Sequence, residues 1–219
     1  MASKLITPPS AEPVSLTEAK LQCRVSVPDD DALLTGLIVG ARMMCEQRIW
    51  RAFITQTWEL VLDSWPLATR RELTLAAISG PNAWNLAIDA YPRRGEIRLP
   101  NPPLQSVTYI TYKTSDGTVK TLDPSIYAVD TDSEPGKITV QSGANWPSDE
   151  LWPNAAVRIR YVAGWADAAS VPQPIKTAML LLIGHWYENR EEGGALRQHS
   201  MPPQFGADAL LELYSARTY

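Results

Sequence analysis

The stretch that most constrains this chain is Val171 to Glu192, VPQPIKTAMLLLIGHWYENREE, which holds its longest unbroken apolar run. It reads as one helix, entered through Pro172 and Pro174 and left through a charged exit leading to Gly193 and Gly194. With Ile175 at zero and 100° per residue, Met179, Leu182 and Trp186 fall within about 40° of it, while Leu180, Leu181 and Ile183 spread round the rest of the circle. A helix apolar on nearly every side must be covered on nearly every side. One domain core covers one face, so the rest needs a second layer of the same chain or a neighbouring subunit. Leu180, Leu181, Ile183 and Tyr187 are the candidate contacts with such a neighbour.

The 219 residues suit one large domain or two small ones, and 45% hydrophobic content allows a proper core. A formal charge of −4 with two histidines argues against holding nucleic acid by phosphate neutralisation, an affinity that scales with Lys/Arg contacts. Cys23 and Cys45 make no disulfide framework or zinc pattern and read as small core residues in a reducing compartment. The opening MASKLITPPSAEP lacks an apolar signal region, and Ala178 to Gly184 is far short of the roughly 20 residues that span a bilayer. Neither a secretory signal nor a membrane span is expected.

Residues 1–14 are proline-rich and predict an extended N-terminal arm. Ser15 and Glu18 have the spacing of a capping box, so a short helix is expected from about Leu16 to Val25. Val27-Pro28 interrupts it, and Asp29-Asp30-Asp31 opens a second helix, where negative charge favours the positive end of the dipole. That triplet reads as cap and solvated face rather than metal site. The second helix runs to about Arg48, with Leu33, Leu34, Leu37, Ala41, Met44 and Cys45 on one stripe and Thr35, Arg42, Glu46 and Gln47 on the other. Val39 and Met43 interrupt the polar side and are noted as subunit contacts.

After Trp50 the period changes from 3.6 to 2. Trp58, Leu60 and Leu62 alternate with Thr57, Glu59 and Asp63, the pattern of a half-buried strand. Further strands are expected at 96–99, 107–112, 118–122, 126–129, 138–140 and 156–162, separated by turn signals such as Asp116-Gly117 and Pro135-Gly136. Residues 64–95 read mostly as strand. A mobile linker with two adjacent glycines and Met201-Pro202-Pro203 follows residue 192, and a last amphipathic helix covers 207–216. The expected fold is α+β: a small helical bundle from 15–52 and 166–192, an inserted antiparallel β-sandwich or barrel-like region at 53–165, and a C-terminal linker and helix at 193–219.

Little in the chain points to catalysis. His185 and Glu188 have the spacing of a two-ligand metal clip, but no second matching pair accompanies them and Trp186 and Tyr187 lie between. A structural or interface role is favoured. His199 falls in the linker without a partner. There is no Gly-x-Ser-x-Gly, no Walker loop and no Gly-x-Gly-x-x-Gly, and no metal or cofactor is expected. Eight tryptophans make a carbohydrate-binding or glycan-cleaving module the alternative from another class, although Trp58 alternates as a core residue does. A helix-turn-helix at 15–50 is rejected, because three aspartates would face the phosphates.

The order of segments carries more than any catalytic motif. Pro13-Val-Ser-Leu-Thr-Glu-Ala-Lys20, the acidic start of the second helix with its Leu-Leu-x-x-Leu-Ile, Ile54-Thr-Gln-Thr-Trp58 and Pro102-Pro-Leu-Gln-Ser-Val107 follow one another. Val162-Ala-Gly-Trp165, Val171-Pro-Gln-Pro-Ile-Lys176 and His185-Trp-Tyr-Glu-Asn-Arg190 complete the series. Together they resemble the head–tail connector, or adaptor, proteins of tailed phages, in the longer branch found in prophages and gene-transfer agents. The resemblance implies a non-catalytic structural protein of the virion neck, assembled in the host cytoplasm into a homo-oligomeric ring expected to be twelve-fold. Such a ring sits below the portal protein and above a stopper or tail-completion protein, and DNA passes through its channel without sequence-specific binding. The mobile linker and the final amphipathic helix suit a docking arm that orders on a partner, so the segment 204–219 is expected to engage the portal, with Phe205, Leu210, Leu211, Leu213 and Tyr214 as the docking residues.

Overall fold

The computed structural model describes residues 2–66, 95–189 and 204–216, the side chains of Gln204 and Phe205 excepted. The fold is α+β, with helices and two antiparallel sheets. Two compact units divide the chain: Met1–Pro8 with Gln56–Ala163, and Pro9–Thr55 with Gly164–Thr218. Most of the 64–95 expectation lies outside the described residues, as does the linker from 193 to 203, while residues 204–206, also expected in the linker, begin the last helix.

The helical unit contains α1 (Leu16–Cys23), α2 (Asp31–Ile49), α3 (Gln173–Glu188) and α4 (Gln204–Glu212). The expected capping box starts α1: the Glu18 amide donates to Ser15 Oγ at 3.2 Å and the Ser15 amide to Glu18 Oε2 at 2.7 Å. Asp30 sits at the cap position of α2 without making a side-chain cap bond. It accepts instead from the Tyr187 hydroxyl, while Lys20 Nζ reaches Asp31 at 2.6 Å. The aspartate run thus ties α2 to α1 and α3 in addition to favouring the helix dipole.

The core side of α2 is Leu34, Ile38, Ala41, Cys45 and Ile49. Leu33 and Met44, expected in the stripe, are exposed, and Arg42, expected in solvent, is buried. Arg42 is tolerated there because two carboxylates meet it, Glu12 at 2.8 Å from Nε and Glu46 at 2.6 Å from Nη1. Glu46 also accepts from the Phe53 amide at 2.8 Å, which ties the end of the helix to the chain beyond it.

Helix α3 buries Ile175, Ala178, Met179, Leu182 and Ile183. It packs against α1, α2 and α4, so its surplus apolar surface is taken up largely by a second layer of the same chain. At one crossing Gly40 lets Trp186 approach: a Cβ there would lie 3.7 Å from the indole.

In the β unit, β1 (Ala2–Thr7), β2 (Gln56–Leu62), β4 (Leu104–Lys113), β5 (Val119–Thr121) and β8 (Val157–Ala163) form one sheet in the order β1-β2-β8-β4-β5. A second sheet has the order β3-β7-β6, from Ile97–Arg98, Lys137–Val140 and Tyr127–Asp130. The expected strands are present to within a few residues. The arm supplies one that the pattern did not announce, since residues 2–7 form the edge strand β1.

The inner face of the large sheet carries Leu60, Ile159 and Ile110 in one row, all fully buried. The small sheet lies over it. A Cβ on Gly136 would come within 2.5 Å of Leu104, and the Tyr161 hydroxyl donates to Pro100 O at 3.1 Å. Gly164 follows β8 with φ +105°, and a Cβ there would stand 2.3 Å from the Ile54 carbonyl oxygen. This close approach requires the glycine of Val162-Ala163-Gly164-Trp165.

Candidate interaction surfaces

The residues expected to meet a neighbouring subunit separate into two groups. Ile183 is fully buried in the core of the helical unit, because α3 turns that side toward the other helices of the same chain. It is therefore corrected from a subunit contact to a core residue. Leu180 and Tyr187 are half-buried, and the Tyr187 hydroxyl is held by Asp30. Val39 is half-buried, whereas Leu181 is 38% exposed and Met43 58% exposed. Leu180 borders an open groove of about 400 Å³ with Glu18, Leu21, Gln22 and Arg24.

The residues expected to dock a portal divide in the same way. Leu211 is buried with Ala207 against the helical core, so it too is corrected to a core residue. Leu210 and Tyr214 are half-buried against that core, and Leu213 stands 74% exposed. The side chain of Phe205 lies outside the described residues. Helix α4 is fastened to its own unit: Arg48 makes two bonds to Asp208, at 2.9 and 3.2 Å, and Arg51 Nε donates to Tyr214 O.

Groups that might suggest chemistry are engaged structurally. His185 Nδ1 lies 3.1 Å from Asn189 Nδ2, one helical turn on. Among the described residues no group of three His, Cys, Asp or Glu could hold a metal ion. Burial pushes the Cys45 thiol up to about 12, far from a reactive thiolate. The space beside Cys45, lined by Met44, Arg48, Leu182, Ala207, Asp208 and Leu211, is about 10 Å³, no larger than a water molecule needs. His199 lies outside the described residues.

Three described tryptophans of the β unit have partners against their rings. Trp65 stacks on Trp146 at 4.8 Å and meets Tyr112 edge-on at 5.6 Å. Lys113 Nζ sits 3.7 Å above the ring of Trp152. A sugar-stacking platform needs an open ring face; Trp65 is buried, while Trp152 keeps 39% exposure.

A feature that sequence reasoning missed is the outer face of the large sheet. Register places Lys4, Glu59, Arg160 and Tyr109 in one row across β1, β2, β8 and β4. Arg158 and Arg160 each bond Glu59 at 2.9 Å, and the Arg160 guanidinium lies 5.3 Å over Tyr109. The signal in the sequence was Val157-Arg-Ile-Arg-Tyr161, whose two arginines share one face by alternation.

These features define a class: a two-unit α+β chain whose described buried polar residues serve packing and whose exposed apolar and cationic groups lie on its surfaces. No family model matches the chain, and no curated protein matches it. Solved structures do match. A chain from the neck of an empty gene transfer agent (GTA) particle, computed with C6 symmetry, superimposes with a TM-score of 0.72. It has 21% identity, over 98% of this chain and 95% of that one. A chain from the neck of a native GTA particle computed with C12 symmetry gives 0.69 at 22% identity, and one from the virion of a native GTA particle gives 0.69 at 21%, with the same coverage. The protein thus has the fold of a GTA particle chain across both of its units.

Proposed function

We propose that this protein is a structural adaptor that forms a ring in the neck of a tailed-phage-like particle, joining the DNA-filled head to the tail and continuing the DNA channel. The observation that carries this reading is the extent of the likeness. It covers nearly all of both chains, and the neck structures were computed with six- and twelve-fold symmetry. A subunit in a closed ring meets two neighbours through different surfaces, and Met43, Leu181 and Leu213 give the helical unit exposed apolar side chains for such contacts. The portal above and a stopper or tail-completion protein below are the partners, and the role is non-catalytic. A mildly acidic chain suits a channel wall to which DNA does not adhere.

The test is assembly. Particles produced without this chain should accumulate as filled heads lacking tails, and adding the purified protein should restore joining. Electron microscopy of the protein mixed with portal-bearing heads should show a ring at one vertex. Normal tailed particles in its absence would refute the reading.

A further inference from the structure

The β unit is electrically two-sided. Its outer sheet face presents Lys4, Lys113, Arg158 and Arg160 against one carboxylate, Glu59. Asp63, just past the end of β2, accepts from the Ala155 amide at the rim. Lys4 makes no hydrogen bond or ion pair among the described residues, and the Arg158 side chain is 51% exposed. Glu59 and Tyr109 hold Arg160 in place, and Trp152 does the same for Lys113, so these cations are fixed before any partner arrives. Fixed Arg, Tyr and Trp side chains are the composition of binding hot spots. On the small-sheet side the balance reverses. The turn from β6 to β7 carries Asp130, Asp132 and Glu134, with Lys137 bonded to Asp130 at 3.3 Å.

We propose that the outer face of the five-stranded sheet is a docking surface for a second copy of this chain, which seats its acidic β6–β7 turn against Lys4, Arg158 and the Tyr109–Arg160 pair. This rests on the reading of the protein as a ring subunit. One chain carries both a cationic face and an acidic turn on its opposite layer, so the contact is front to back. Repeated contacts of that kind close a ring when the rotation per subunit permits. The face spans about 19 Å by about 20 Å, roughly 400 Å², from the spacing of five strands and the rise of six residues. That is about half of what a stable pair buries per partner, so the contact is one part of a subunit interface, and the helical unit supplies the remainder.

The test uses the full chain and mass photometry across a salt series. Lys4→Glu/Arg158→Gln keeps Arg160 on Glu59 and so preserves the sheet, which circular dichroism checks. Wild-type protein should associate less as salt rises, and the variant should associate at least roughly tenfold more weakly. Asp132→Lys/Glu134→Lys should be equally weak alone, and mixing it with Lys4→Glu/Arg158→Gln should restore mixed assemblies. Rings formed equally well by wild type and both variants would overturn this surface while leaving the ring reading intact. Wild-type protein that never self-associates, even on portal-bearing heads, would overturn the ring reading and this inference with it. If a short DNA duplex bound wild type and not the variant while association was unchanged, the face would be a nucleic-acid surface and the proposal would fail.

Discussion

Replacing Arg42 by leucine tests whether the interior of the helical unit is organised around an ion network. By helical periodicity Arg42 belongs with Thr35, Glu46 and Gln47 on a solvated face, where such a change is close to neutral. In the structure its side chain is 8% exposed and bonds both Glu12 and Glu46. Removing one partner of a buried pair costs about 3–5 kcal/mol, because the remaining charge stays desolvated. Glu12 is 25% exposed and can regain water, whereas Glu46 is 14% exposed and still accepts from the Phe53 amide. Discounting for the first of these puts Arg42→Leu at about 2–3 kcal/mol. With a urea slope of about 2 kcal/mol/M, the midpoint should fall by about 1–1.5 M. Far-UV circular dichroism follows the helical unit directly, and Gln47→Leu, on the exposed side of the same helix, is the control, expected within about 0.5 kcal/mol of wild type. Equal midpoints for Arg42→Leu and Gln47→Leu would refute the reasoning.

Gly164→Ala combines a backbone at φ +105° with a Cβ 2.3 Å from a carbonyl oxygen. It should destabilise by about 3 kcal/mol, read as a lower urea midpoint; unchanged stability would mean that the chain bends elsewhere at no cost. The Thr114 hydroxyl, with the Thr118 amide and hydroxyl, holds Asp116 down to about 2, and Ser133 does the same for Asp130. Both folded values lie below the ordinary 3.8, so the stabilisation of these turns is complete above that value and is lost as pH falls through about 2. NMR titration of the Thr118 and Ser133 amides should show midpoints near 2, and midpoints near 4 would refute this. With its thiol pushed up to about 12, Cys45 should resist alkylation at mildly alkaline pH until the chain unfolds; mass spectrometry showing rapid native labelling of Cys45 would overturn the burial argument.

Periodicity and turn chemistry made most of the architecture legible. The capping box at Ser15 and Glu18 and the switch from period 3.6 to 2 after Trp50 each have a local cause, and each appears as expected, whereas Glu59, expected on the solvated side of its strand, is buried under Arg158 and Arg160. Failures came where the deciding contact lies far along the chain. Arg42 is buried because Glu12, thirty residues away, meets it. The strand at residues 2–7 exists because β2 offers an edge, and nothing in ASKLIT announces that on its own. Interface assignments suffered most. Ile183 reads as a subunit contact and Leu211 as a docking residue, yet α3 and α4 pack closely within the same chain. The cationic sheet face went unnoticed because its members come from four strands and meet only through register.

The C-terminal segment shows how this affects function. A docking arm that orders only on its partner loses conformational entropy at that moment and binds more weakly for it. Residues 204–216 are already held, by the two bonds from Arg48 to Asp208, by Arg51 on Tyr214 O and by the Ala216 amide donating to Ile49 O at 2.9 Å. A partner would therefore meet a preformed surface with Leu213 at its crest, and the affinity of that contact is not reduced by folding. Deleting the whole segment would strip cover from Leu182 and Met44 and would not separate docking from stability. Leu213→Asp does separate them. At 74% exposure it should leave the urea midpoint within about 0.5 kcal/mol of wild type while abolishing attachment to portal-bearing heads. Leu211→Asp, in the core, should unfold the helical unit. If Leu213→Asp bound heads normally, the exposed end of this helix would have no part in docking, and the contact with the portal would have to be sought on another surface.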